Sequence, residues 1–288
     1  MAVYKRSYRS YEGALTPRWS RFLILTRYAA RGIFSSRILT GLFVICFFYP
    51  LVMVAGLYLN HNARVLQLLQ IGPRSGRIMD INGEFFMVFM GVQGSLAFLA
   101  TALIGPNLIS PDLANNALPL YFCRPLSRAE YVLGRACVIL YLLSLITWIP
   151  GLVLFGIESS LSGASWGWEH VNYALGVFIG SWLWIGFLAL LALALSAWVR
   201  WKIVAGASLL AAMFLTSGLA AAINLILRTT AGAYISPVML SASVWAHFFA
   251  LRVPPEPSPG NAILALAAMC AFCIYLLQKK VRAVETVR

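Results

Sequence analysis

The chain has 288 residues, 61% of them hydrophobic and 11% charged, with a mean hydropathy of +0.82 and a formal net charge of +13. Soluble domains sit near half apolar and a quarter charged, so an ordinary soluble fold is excluded. Long apolar runs with so few charges define an all-α polytopic membrane protein, because in lipid only helices or closed barrels satisfy their own backbone.

Residues 1–37 are predicted to be a cytosolic basic N-terminal segment. They have no early apolar core, so no signal peptide is expected and the first span serves as an uncleaved anchor. Within them, 18–37 intersperses Trp19, Phe22, Leu23, Leu25, Ile33 and Phe34 with Arg18, Arg21, Arg27, Arg31 and Arg37. That pattern predicts an amphipathic helix in the interface, facing lipid headgroups. The transmembrane domain, 38–278, is read as six spans: about 38–59, 85–109, 131–157, 171–199, 202–227 and 261–278. Pro150-Gly151 is expected to bend the third span. Residues 228–260 form an outer segment carrying short helices before the last span. Its apolar stretch, Val238 to Leu251, is too short to cross and reads as re-entrant or interfacial. Residues 279–288 are a cytosolic tail.

Basic residues orient the chain. With the N-terminus inside, only Arg64, Arg74, Arg77, Arg228 and Arg252 of the 22 Lys and Arg face outward. Both termini are therefore expected in the cytosol of a multi-pass cell-membrane protein. The net charge is a topology signal first and an attraction to membrane lipid second. No aromatic-plus-basic stripe points to nucleic acid.

Catalytic signatures are missing. There is no P-loop, so the chain itself is not expected to bind ATP, and there is no His-Glu-x-x-His or Gly-x-Ser-x-Gly. Cys46, Cys137, Cys270 and Cys273 lie in apolar segments and Cys123 in a loop, which implies neither a disulfide framework nor a metal site. His61, His170 and His247 fall one to each outer segment, and no metal is expected on them. No Asp, Glu, Lys or Arg lies well inside a span, which argues against ion-coupled transport. Gln93 and Asn224, with the mid-span Trp182 and Trp184, are the candidates for a substrate path; bridging between helices is the plainer role. Gly176 and Gly180 form a Gly-x-x-x-Gly that allows close helix approach.

The most informative stretch is the loop after the second span, which the orientation places in the cytosol at about 110–130. Ser110 is suited to cap a helix, with Pro111 at its first position and Asp112 favouring its dipole. A short helix, Leu113 to Tyr121, is expected to follow. Ser127 with Glu130 fits a capping box at the start of the third span. The stretches Leu108-Ile-Ser-Pro-Asp112, Ala117-Leu-Pro-Leu-Tyr121, Arg124-Pro-Leu-Ser-Arg128 and Glu130-Tyr-Val-Leu-Gly-Arg135 resemble, in that order, the membrane subunits of type-2 ATP-binding-cassette (ABC) exporters. About 30 residues carry the resemblance. The chain departs from the family at Asn115-Asn116, where basic residues and Gly are frequent, and at Arg135, where Lys is usual.

The resemblance implies a permease subunit. Two such subunits, as homodimer or heterodimer, form the pathway. Two copies of a cytosolic ATPase, which bind the ATP and Mg, dock on the loop as on a coupling helix. Leu113, Leu118 and Tyr121 are the expected apolar anchors, and Asp112, Arg124 and Arg128 the polar rim. Other readings are an ABC-linked assembly or scaffold protein without a continuous path, and an ATP-independent secondary carrier. A membrane-embedded enzyme has no catalytic constellation to support it. The substrate is not encoded in any motif.

Overall fold

The computed structural model describes residues 26–27, 36–62, 79–115, 117, 127–199, 201–251 and 257–280. These form helices α1 (Arg37–His61), α2 (Gly83–Ile104), α3 (Pro106–Ala114), α4 (Arg128–Ile146), α5 (Trp148–Ser162), α6 (Ala164–Glu169), α7 (Val171–Trp198), α8 (Lys202–Leu227), α9 (Pro237–Phe248) and α10 (Pro259–Lys280), with a 3₁₀ turn at Ala231–Ile235. No strand occurs among the described residues. Among the described residues, six spans are long and apolar enough to cross a membrane: α1, α2 with α3, α4 with α5, α7, α8 and α10. Of the amphipathic 18–37 segment, only Thr26, Arg27, Ser36 and Arg37 are described; the rest lies outside the described residues.

Helix α7 is the hub. It carries no charged residue and touches α2, α3, α4, α5, α8, α9 and α10. Its most apolar window is 61% buried, against 17% for α8, so α8 presents most of its surface outward. Small residues let neighbours approach α7. A Cβ added at Gly105, the joint between α2 and α3, would meet the Ala192 Cβ at 2.7 Å.

The spans alternate in direction. One end of the bundle collects Ser36, Asn107 and Lys202 around one groove, Arg128 and Gln278 around another, and Lys280 against the Trp198 ring. At the opposite end, His61 Nε2 lies 3.1 Å from Ser162 Oγ, joining α1 to α5. The described basic residues from Arg37 onward follow the same division. Arg37, Arg128, Arg135, Lys202, Lys279 and Lys280 lie toward the first end and Arg228 at the second. The first is called the basic end below.

Two spans are broken, where the sequence reading expected a bend only in the third. The third span bends at Thr147 (φ −98°, ψ −89°), three residues ahead of Pro150-Gly151. Pro150 has no N–H to give the Ile146 carbonyl and its ring crowds that turn, so the ladder fails before the proline. The second span breaks at Gly105. The helix after it starts at Pro106 and ends at Ala114, so Ser110 lies inside it and caps nothing. Ser110 is instead fully buried against the end of α7. The expected helix from Leu113 to Tyr121 is described only as far as Asn115, together with Ala117. The Ser127–Glu130 capping box is present as expected.

After Leu227 the chain folds back into the bundle. Arg228 ends α8 in the left-handed region (φ 48°), a common way to terminate a helix although glycine is the usual residue there. The Ala231–Ile235 turn then runs beside α8, and Asn224 Oδ1 accepts from the Gly232 N–H at 2.8 Å. Ser236 reaches Ser217, whose Oγ lies 3.3 Å away. Ser217 is about 15 Å down the helix from Leu227 at 1.5 Å per residue. Helix α9 climbs back, capped by Ser236, until Phe249 meets Gly83 at the start of α2. The segment thus enters and leaves by the same end.

Trp245 anchors this return. Its indole fills a notch between Gly180 and Gly94, where added Cβ atoms would lie 2.4 and 3.1 Å from the ring. Gly176 faces Phe248 and Phe249 in the same way. The Gly-x-x-x-Gly face of α7 is therefore filled by this chain's own α9.

Candidate functional site

The residues flanking the 115–127 loop form a braced hairpin base. On the incoming side, Leu108 and Ile109 are buried and Leu113 is half-buried against the core. The Ser110 N–H donates to Ser196 Oγ at 2.9 Å, and its hydroxyl to the Val199 carbonyl at 2.7 Å. These bonds staple the middle of α3 to the end of α7. The backbone then turns, with the Ala117 N–H donating to the Asp112 carbonyl at 2.8 Å.

The outgoing side starts at the capping box. The Ser127 N–H donates to Glu130 Oε2 at 2.6 Å, and the Glu130 N–H to Ser127 Oγ at 3.2 Å. These contacts satisfy two donors that a helix start would otherwise leave open. One turn further on, Tyr131 and Arg135 stand at i and i+4, on one face of α4.

Both converge on Asp112. The Tyr131 hydroxyl donates to Asp112 Oδ2 at 2.6 Å, and the Arg135 guanidinium pairs with the same oxygen. The Arg135 side chain is 10% exposed and that of Asp112 16%, so solvent screens the pair little. Arg135 also lies over the Tyr131 ring, 5.4 Å from its centroid. Thr26 adds a contact from the N-terminal segment, its hydroxyl donating to the Gly134 carbonyl at 3.0 Å.

Asp112 is thus engaged inward with α4. Arg128, the first residue of α4, is exposed and lines an apolar groove toward α10. Leu118, Tyr121 and Arg124 lie outside the described residues. Sequence reasoning used Tyr131 and Arg135 only as part of a motif and missed them as partners of Asp112. Their i, i+4 spacing on the helix across the loop from an acidic residue was the available signal.

The four substrate-path candidates do not converge on one cavity. Gln93 is fully buried and donates to the Cys46 carbonyl at 3.3 Å, bridging α2 to α1; its Oε1 has no partner. Asn224 pins the returning segment. The Trp184 indole N–H donates to the Gly94 carbonyl at 3.0 Å, and its ring meets Trp245 edge-on at 6.2 Å. Trp182 is 40% exposed and touches Phe178.

Among the described residues, no group of three or more His, Cys, Asp or Glu is placed to hold a metal. His170 stacks on Trp166, and Cys46, Cys137, Cys270 and Cys273 are free thiols. The chain matches no family model and none of the curated proteins.

Proposed function

We propose that the chain is the permease subunit of an ATP-driven ABC exporter, working as a dimer in the cell membrane with its termini in the cytosol. The four motifs between Leu108 and Arg135 support this reading. So does the absence of a P-loop, which leaves energy to enter through a partner that binds ATP and Mg. Two ATPase subunits dock, one on the 110–130 loop of each permease subunit, with Leu118 and Tyr121 as anchors and Arg124 at the rim. The chain itself performs no catalysis.

The observation that carries the reading is the bracing of the loop's base. A loop that only connects two spans can be slack. One that passes on a displacement has to be stiff where it joins them. Ser110 ties the incoming strut to α7, and Asp112 ties it to Tyr131 and Arg135 on the outgoing strut. A push on the loop therefore moves α3, α4 and the hub together. Leu113, half-buried near the end of α3, carries the apolar contact onward into the core.

The test is Leu118→Asp in the full chain. The protein should insert at the wild-type level but lose both co-purification of an ATPase subunit and ATP-dependent transport. Unchanged ATPase association would sink the docking role. Substrate-stimulated ATPase activity in the reconstituted complex separates a transporter from a scaffold that docks the same ATPase.

A further inference from the structure

At the basic end a groove of about 500 Å³ runs between α4 and α10. Val132, Leu133 and Ala136 form one wall and Ile274 and Leu277 the other, with Leu190 of α7 at the floor. Its polar residues are Arg128 and Gln278, both exposed and both at the basic end. Lys279 and Lys280 follow directly. Arg128 makes no ion pair among the described residues. The nearby carboxylates are occupied, Glu130 by the Ser127 N–H and Asp112 by Arg135.

Shape and charge select the occupant. From Arg128 to Ala136 the groove is about 12 Å long, nearly half of a hydrocarbon core about 30 Å thick. It is therefore about one leaflet deep. A single alkyl chain is slender enough. The unpaired guanidinium at the mouth calls for an anion, and juxtamembrane cations attract acidic lipid.

We propose that this groove binds one acyl chain of an anionic phospholipid from the leaflet at the basic end, with its phosphate on Arg128 and Gln278. The site does not depend on the exporter reading. It makes Arg128 a lipid contact beside the loop, with the headgroup next to Ser127, the cap of α4.

The full chain in nanodiscs, carrying a trace of phosphatidylglycerol with a photoactivatable acyl chain, provides the test. Mass spectrometry should find the label on Val132, Leu133, Ile274 or Leu277. Unlabelled phosphatidylglycerol should compete about fivefold better than phosphatidylcholine, the factor expected for one cation near the surface. Arg128→Gln should bring that ratio close to one. Ala129→Trp, which fills the mouth from an exposed position, should remove the label while leaving the gel-filtration profile unchanged. Equal competition by both lipids in the wild type would make the contact ordinary boundary lipid and overturn the proposal. So would an unlabelled groove, which would mean that protein fills it, or labelling that survives Ala129→Trp.

Discussion

Replacing Asp112 by Ala removes the acceptor that Tyr131 and Arg135 share. The Arg135 charge, 10% exposed, is left without its carboxylate, and the Tyr131 hydroxyl, fully buried in its residue, loses its acceptor. Breaking a buried pair from one side costs about 3–5 kcal/mol. Asp112 retains some contact with water, so a loss of about 2–3 kcal/mol is expected, or an apparent Tm lower by about 5–10 °C. The companion is Asp112→Leu with Arg135→Met, which replaces the pair by apolar groups of similar volume. Such replacements are commonly neutral or stabilising, so the double variant should recover most of the lost Tm. The assay is thermal unfolding in detergent of the wild type, both single variants and the double. Additive losses, or a single variant as stable as the wild type, would refute the brace. With an ATPase bound, Asp112→Ala should also lower the transport obtained per ATP hydrolysed, because the loop's base has loosened.

Three further outcomes follow from the packing. Ser110→Ala should cost about 1–3 kcal/mol, because the Val199 carbonyl and Ser196 lose a buried partner; thermal unfolding checks it. Gly180→Leu should destabilise by at least about 1–3 kcal/mol, since its Cβ alone falls 2.4 Å from the Trp245 ring. Adding Trp245→Ala should restore part of that loss, and a lone Gly180→Leu without effect would mean that Trp245 does not occupy the notch. Gln93→Leu should change stability by less than about 1 kcal/mol and leave transport intact, as expected of a helix bridge; lost transport with unchanged stability would make Gln93 part of the path.

The six spans were legible because each is a long apolar run, and apolar length is a property of the sequence alone. The Ser127–Glu130 capping box was legible for a similar reason, since its partners lie within one turn. What failed depended on which groups meet across the fold. Ser110 has every local qualification for a cap, but Ser196 and Val199, far along the chain, claim its hydrogen bonds. Gly176 and Gly180 announce a close approach without saying to what; the answer, Trp245 and Phe248–Phe249, arrives on a segment that folds back from the far end of α8. Asp112 is expected at the polar rim of the docking loop from the family resemblance, and in the fold its carboxylate meets Tyr131 and Arg135. Its inward turn follows from Tyr131 and Arg135, whose side chains reach from α4 to its carboxylate.

Cys123 allows the central claim to be tested in the unaltered sequence, because it falls between Ala117 and Ser127 while Cys46, Cys137, Cys270 and Cys273 lie in spans. A maleimide photo-crosslinker on Cys123 of the full chain, activated in native membranes, can be followed by mass spectrometry of the captured protein. Docking of an ATPase on the 115–127 loop predicts a captured protein that carries a Gly-x-x-x-x-Gly-Lys-Ser/Thr loop, with capture lost in Leu118→Asp. Efficient labelling of Cys123 that captures only lipid, or only proteins without that motif, would contradict it.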